Sequence, residues 1–464
     1  MEAPLLTLTA SGKKSGEGKE SLVVCSEVKR QAYLAGPLVA GLLLQNIVQM
    51  ISIMFVGHLG KLPLAGASVA SSFAAVTGFS VLSGMASSLE TLCGQAFGAG
   101  QHHLLGVYKQ RAMLVLALVS VPAAAVWAYT GEILAWCGLD LEIAAAAGSY
   151  IRWLIPTLFV YGPLQCHVRF LQTQNVVVPV MLSSAATAVS HVAVCWLLVH
   201  RLGLGSNGAA LGTAVSYLIN LSILALYVRL STSCKNTWLG FSREAFHGIG
   251  DFLKLAVPSA LMVCMVWWSF EILVLLSGLL PNPQLETAVF SISMNIAFMA
   301  FTVPLGLSAA ISTRVSNELG AGRPEAARLA TQVTMVVAFL VCATEGLVVL
   351  LLRNIWGLAY SSNEEVTKYT AVITPTLAVA MFLDGLQGVL SGVIRGCGQQ
   401  KIGAFISIAS YYLVGIPSAF FFAFVCHLGG KGLWFGQMCG MVVHMFLLFT
   451  ITLCTNWDKE VRVC

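Results

Sequence analysis

The stretch GFSVLSGMASSLETLCGQAFGAG at residues 78–100 returns as AFTVPLGLSAAISTRVSNELGAG at residues 300–322. At a shift of 222, Phe79 meets Phe301, Val81 meets Val303, Gly84 meets Gly306, Thr91 meets Thr313, and the GAG ends coincide. Two shorter matches follow the same order. GAALG at 208–212 pairs with GLWFG at 432–436, and PTL at 156–158 pairs with PTL at 375–377 at a slightly smaller offset. The chain therefore reads as two similar halves.

Composition says what the halves are made of. Of 464 residues, 57% are hydrophobic and only 10% charged, where soluble domains carry roughly 25% charged residues. With a mean hydropathy of +0.83, a soluble core of this size would have nothing polar to cover it. A soluble enzyme, a nucleic-acid binder and a disordered chain are excluded. The 13 cysteines are scattered without a CxxC pair, mostly within apolar runs. Thiols there pack as small hydrophobes, so neither a zinc site nor a disulfide framework is expected.

A membrane-crossing helix needs about 20 largely apolar residues. Twelve such runs begin near residues 33, 64, 111, 150, 178, 208, 252, 287, 329, 369, 402 and 432. The longest polar break, residues 231–251, separates six from six. The expected fold is an all-α integral membrane protein, with twelve transmembrane helices in two pseudo-symmetric six-helix lobes around a central cavity. Residues 32–230 form the first lobe and 252–456 the second. A tail at 1–31, a linker at 231–251 and a tail at 457–464 complete the chain. An even number of spans per half gives both copies one orientation, so they are parallel repeats.

Residues 1–28 are mostly polar and show no cleavable signal, so the run near Tyr33 is expected to act as an uncleaved anchor. Lys and Arg gather on the cytoplasmic side of membrane proteins. With the N-terminus inside, the inner segments hold 19 of the 25 basic residues, leaving Lys61, Arg152, Arg201, Arg353, Lys368 and Lys431 outside. Both termini are expected in the cytoplasm of a multi-pass protein. Neither tail carries a readable address, so the plasma membrane and the vacuolar membrane stand as alternatives.

The GAG ends read equally well as helix-closing, close-packing glycines that need no ligand. No GxxxxGK[ST] is present, so the energy for transport is expected from a gradient or a partner rather than from ATP. His167, His191 and His444 have no metal-ligand spacing, and no metal is expected.

Four acids fall inside the predicted spans: Glu90, Glu271, Glu345 and Asp384. A charged side chain at mid-membrane costs at least about 2.5–3.5 kcal/mol, so such residues are functional candidates by default. Glu271, in VWWSFEILVLLSGLLP, is expected near the middle of the seventh span, with Trp267 and Trp268 at i−4 and i−3. The nearest base along its helix, Lys254, is 17 residues away, about 25 Å at 1.5 Å per residue. Asp384, in VAMFLDGLQGVLSGVIRG, shares a face with Gln387, and Gly385, Gly388 and Gly392 are expected to make its helix thin and easily bent. Arg395 is 11 residues on, about 16 Å. At the repeat's shift of 222 neither acid has an acidic counterpart (Gly162 stands opposite Asp384), which suggests a site in one lobe only.

Low-dielectric surroundings disfavour the charged form of a carboxyl group, so a lone buried acid can trade a proton for a cation. The alternative is a structural acid satisfied by backbone or serine. Glu345, in VCATEGLVV, reads more readily as structural, and Glu90 lies near a helix end where water would reach it. Gln45, Asn46 and Gln49 put polar groups on the first span, suited to cavity lining or interhelical bonding. Asn295 and Gln387 are further candidate cavity residues. Trp267, Trp268 and Phe290 could face a cationic ligand or pack against lipid and core.

At these residues the sequence resembles plant multidrug and toxic compound extrusion (MATE) transporters. The resemblance is carried by MFVGHLGKLPLAGASVASSFAAVTGFSVLSGMASSLETLCGQAFGAGQ, WWSFEILVLLSGLLPNPQLET, STRVSNELGAGRPEAARLA and SGVIRGCGQQKIGA, and it covers the chain from Ala32 to Trp457. It implies a two-lobed antiporter with a V-shaped cavity, driven by protons and without a cofactor. The family's acidic pair in the second lobe falls on Glu271 and Asp384. The aspartate of some bacterial relatives is replaced by the Gln45, Asn46 and Gln49 region, which argues against a proton or sodium site in the first lobe. The long second-to-third-span loop of some citrate exporters is missing too.

The expected function is proton-coupled export of organic cations or secondary metabolites and xenobiotics, alkaloid- or flavonoid-like, by alternating access. Its partners would be a small organic substrate, protons and the lipid bilayer, with no nucleic acid, and the chain would work as a monomer. The alternative is a lipid or polysaccharide flippase of the same superfamily, whose cavity would need cations to hold phosphates. A membrane enzyme would need a ligand cluster at a bilayer surface, and a passive channel would not reverse with a gradient.

Overall fold

In a computed structural model of the chain, residues 13–361 and 363–463 are described. Twelve helices among them are long and apolar enough to cross a membrane. They are α1 (Leu22–Gly57), α2 (Lys61–Gly98), α3 (His102–Ala128), α4 (Leu141–Thr173), α5 (Val178–Arg201), α6 (Gly205–Leu230), α7 (Ile249–Ser277), α8 (Pro283–Gly320), α9 (Pro324–Leu351), α10 (Glu364–Gly396), α11 (Gln400–Val425) and α12 (Gly429–Cys454). Twelve crossings leave both ends of the described chain on one side, here the terminal face; the other is the far face.

Several helices start earlier than the apolar runs do. α3 begins at His102 rather than near 111, and α4 at Leu141 rather than near 150. Their first turns are polar, so an apolar window skips them, but the helix continues beyond the hydrocarbon. At α4 the cap is explicit: Asp140 accepts from the Glu142 and Ile143 amides at 3.0 and 3.2 Å. This satisfies donors that a helix start leaves open. Asn363 does the same for Glu365 and Val366 at the start of α10.

One large apolar core joins the helices of the first half, from Val48 to Val228, and extends to Phe252, Ala256 and Ala260 of α7. A second begins at Phe270 and runs to Met441. α7 thus changes core along its length. Its terminal-face half packs on α2, and its far-face half belongs with α8, α10 and α12.

Small residues set how closely helices approach. Side chains at Gly388, Gly392 and Gly396 of α10 would strike Phe301, Ser308 and Val315 of α8, and one at Gly385 would strike Cys342 of α9. Gly388 and Gly392 thus lie on the face by which α10 docks to α8. The residue 231–251 linker is strapped to the bundle. Gln110 donates to the Gly240 carbonyl and accepts from the Ser242 amide, both at 2.8 Å, and Thr237 donates to Gln174. Buried Lys109 lies 3.6 Å from the ring centre of Trp238 and 4.5 Å from that of Phe170, a cation held by aromatic faces.

Candidate functional site

The two halves meet along matched stripes. On α1, Val39 packs against Gly306 of α8, and seven residues further Asn46 donates to Thr302 at 3.3 Å. On α7, Ala260 packs against Gly84 of α2, Cys264 donates to Ser80 at 3.5 Å, and the Trp268 indole donates to the Val76 carbonyl at 3.1 Å. Steps of three, four and seven residues keep one helix face, so these stripes point at one another. Farther toward the far face, no hydrogen bond crosses between the halves among the described residues.

There the same stripes lie open. Met50 and Met54 continue α1, and Asn295, Phe298 and Met299 continue α8; all are exposed. On α7 the next positions are Trp267 and Glu271. Trp267 packs its ring 5.5 Å from that of Phe298. Glu271 stands three residues beyond Trp268, about 4.5 Å along the axis, so it begins the part of α7 that faces the gap. It is half-buried and makes no hydrogen bond or ion pair among the described residues. It is six residues from the end of α7 at Ser277, hence nearer the far face than the middle of the span where it was expected.

Asp384 is half-buried on α10 and accepts from Gln387 at 2.6 Å. The same amide nitrogen donates to Tyr411, and the Gln387 carbonyl accepts from His444 Nδ1 at 2.9 Å. His444 Nε2 meets Ser407 at 3.1 Å. One face of α12 links this cluster toward α7, because Gln437, seven residues before His444, donates to Ser269 at 3.0 Å. Glu271 and Asp384 share no hydrogen-bonding partner among the described residues. No local motif announced His444, Tyr411 or Gln437, because their partners lie on other helices.

The remaining candidates separate. Asn46 bridges the halves, while Gln49 bonds the Tyr217 hydroxyl inside the first half and Gln45 is half-buried. Phe290 is fully buried, 5.3 Å from the Trp434 ring, so it is core rather than cavity lining. Glu345 is half-buried on α9 without a hydrogen-bond partner among the described residues, and Cys342 lies within electrostatic reach of both Glu345 and Asp384. Glu90 is not at a wet helix end. It is buried, 3.1 Å from Arg169 of its own half and 3.3 Å from Arg395 of the other.

Glu90 belongs to a closure of the terminal face that follows the repeat. Thr91 donates to the Arg395 carbonyl and accepts from Gln400 at 2.6 Å. Its counterpart Thr313 accepts from Gln172 at 3.0 Å, and Asn317 donates to the Thr173 carbonyl at 3.1 Å. α2 and α8 cross with equivalent residues in contact: Gly94 against Ser316, Gly98 against Asn317, and Gly320 against Gln95. Gly100 and Gly322, at φ +73° and +70°, end these two helices in the left-handed region. The GAG ends thus serve closure and packing.

Comparison with known sequences settles the lineage. The MatE family profile matches residues 37–197 and 258–421. The chain belongs to the MATE family. It is 55% identical to Protein DETOXIFICATION 16 of Arabidopsis thaliana over 96% of this chain and 91% of that one. It is 52% identical to Protein DETOXIFICATION 15 of the same plant, over 96% and 91%. The crystal structure of the eukaryotic MATE transporter AtDTX14 superposes with a TM-score of 0.92 at 44% identity, covering 95% of this chain and 98% of that one. A MOP superfamily transporter from Pyrococcus furiosus shares the fold alone, at a TM-score of 0.82 and 17% identity over 94% and 97%. This MATE chain is a multi-pass membrane transporter rather than an enzyme, and its gap between halves is the place to seek the transport site.

Proposed function

We propose that this chain is a proton-coupled antiporter that exports organic cations or secondary metabolites and xenobiotics by alternating access, with Glu271 and Asp384 as the coupling acids. The observation that carries the reading is Glu271: a carboxylate with no bonded partner among the described residues, on the stripe of α7 that leaves the contact between the halves. An unpartnered carboxylate attracts a cation, and protonation abolishes that attraction. Trp267, one helical turn before it, packs on Phe298 and brings aromatic surface to the same stretch of α7, suited to an organic cation. Asp384 would take its proton within the Gln387 and His444 cluster, which anchors its carboxylate from one side.

The charge asymmetry favours the terminal face as cytoplasmic. On that orientation the closed terminal face and parted far face correspond to an outward-open state. Proton entry from outside would release cargo and let the halves rock, and loss of the proton inside would restore the negative pocket. A phosphate-holding flippase would need unpaired cations in the gap. Arg169 and Arg395 are paired with Glu90, and Arg314 with Glu27 and Glu318, so the flippase reading finds no support.

Purified protein in liposomes, with an imposed pH gradient and a panel of organic cations, tests this. Substrate flux should reverse when the gradient is reversed. Glu271→Gln and Asp384→Asn should each abolish gradient-driven exchange while the protein stays folded in the membrane. Flux indifferent to pH, or wild-type exchange in either variant, would overturn the assignment.

A further inference from the structure

At the terminal face, away from the gap, α1, the α4–α5 turn and α8 border an open cavity of about 370 Å³. Its walls are Lys29, Arg30, Tyr33, Leu34, Asn175 and Arg314. The volume falls within the roughly 300–1,000 Å³ typical of small-ligand sites. From Arg30 to Asn46, where α1 meets α8, is 16 residues, about 24 Å of helix, so this is a separate place.

The charges around it do not balance. Arg314 is fully engaged: both Nε and Nη2 reach Glu27 at 3.0 Å, and Nη1 reaches Glu318 at 2.7 Å. Glu318 also holds Arg323 at 2.8 Å. The two carboxylates near the cavity are thus neutralised behind its wall. Lys29 and Arg30 are exposed and make no ion pair or hydrogen bond among the described residues. The side-chain amide of Asn175 makes none either. The preference for basic residues at a cytoplasmic face accounts for two cations, but not for their sharing a recess with a neutral donor and an apolar flank. That flank is Tyr33, 58% exposed, and buried Leu34.

We propose that this cavity binds a phosphate group, carried on the headgroup of an anionic membrane lipid. Lys29, Arg30 and the Asn175 amide would hold the phosphate, and Tyr33 would lie against the glycerol and the start of the acyl chains. Lipid is favoured over a free anion because the recess lies at the end of membrane helices and joins cations to apolar surface. Such a lipid would touch α1 and the α4–α5 turn of one half and α8 of the other, on the closed side. The binding claim does not depend on which substrate is transported.

The test uses the full chain in nanodiscs of phosphatidylcholine, with or without a minor fraction of phosphatidic acid. Retained lipid is read by native mass spectrometry, and the unfolding midpoint is read by thermal melting. Phosphatidic acid should be retained and should raise the midpoint. Lys29→Gln with Arg30→Gln should weaken retention about 30-fold, the order expected for two surface cations, with an unchanged midpoint in phosphatidylcholine alone. The charge-preserving pair Lys29→Arg with Arg30→Lys should keep both effects. Equal protection by free glycerol phosphate would overturn the lipid as source while keeping the phosphate site. Absent retention in the wild type, or undiminished retention in the neutral pair, would overturn the site itself.

Discussion

Replacing Glu90 by Gln should loosen the closed face of the molecule. The Glu90 side chain is 1% exposed, and its two arginine partners, Arg169 and Arg395, are 17% and 10% exposed. Water therefore does little to screen them. Gln keeps the shape and one acceptor, but it leaves two guanidinium groups without their counter-charge. Breaking a buried ion pair from one side costs about 3–5 kcal/mol. Arg395 keeps Ser308 at 2.8 Å and Arg169 keeps Gln172 at 2.9 Å, which argues for the lower end. At about 1.4 kcal/mol per decade, 3 kcal/mol is a shift of roughly 150-fold.

Because Arg395 belongs to the other half, much of that cost is relieved if the halves part there. Ser316, fully buried against Gly94 where α2 crosses α8, is the natural reporter. In a Ser316→Cys background, Glu90→Gln should speed maleimide labelling about 100-fold in the regime where opening is at equilibrium. Adding Arg395→Gln removes one stranded charge, so the double variant should label more slowly than additive single effects would give. Labelling within twofold of the parent, or strictly additive effects, would refute the idea that this triad holds the face shut.

Other consequences can be checked more briefly. Gly98→Val should destabilise the α2–α8 crossing by about 1–3 kcal/mol, since even a Cβ there would lie 2.9 Å from the Asn317 carbonyl carbon. Gly320→Val should match it by pseudo-symmetry, and melting temperatures that leave both unchanged would contradict this. Trp268→Phe keeps a ring but removes one of two side-chain donors to the Val76 carbonyl, which keeps the Ser80 hydroxyl at 2.7 Å, and it should cost about 0.5–1 kcal/mol in reversible unfolding; no change would mean the bond is not formed. Cys234, in the linker, has its thiol pushed above the ordinary value by burial, partly offset by Lys109. It should resist alkylation at neutral pH while exposed Cys137 and Cys426 react, as peptide mass mapping would show; equal labelling of all three would contradict this.

How much of this was legible beforehand differs by feature. Hydropathy is summed along one chain, so twelve crossings and the six-and-six division could be counted directly. Pattern matching found the repeat for the same reason. Helix starts such as His102 and Leu141 were missed because hydropathy measures contact with hydrocarbon, whereas capping and hydrogen bonding carry a helix past it. Glu271 and Asp384 stood out because an acid in an apolar run is costly wherever its side chain points. Glu90 met the same test and was misjudged, because its partners Arg169 and Arg395 lie 79 and 305 positions away in the chain. Phe290 looked like a ligand contact until Trp434 was beside it.

The sequence by itself determined the number of membrane helices, their direction relative to one another and the short set of acids that must be accounted for. Each follows from free-energy costs borne residue by residue in the bilayer. Only the tertiary structure decided which acid is locked to arginine and which stands open, where the halves touch and where they part, and how α12 joins Ser269 to Gln387. Those outcomes depend on pairwise contacts between distant helices, and such contacts fall off within a few ångströms, a scale on which chain order says nothing.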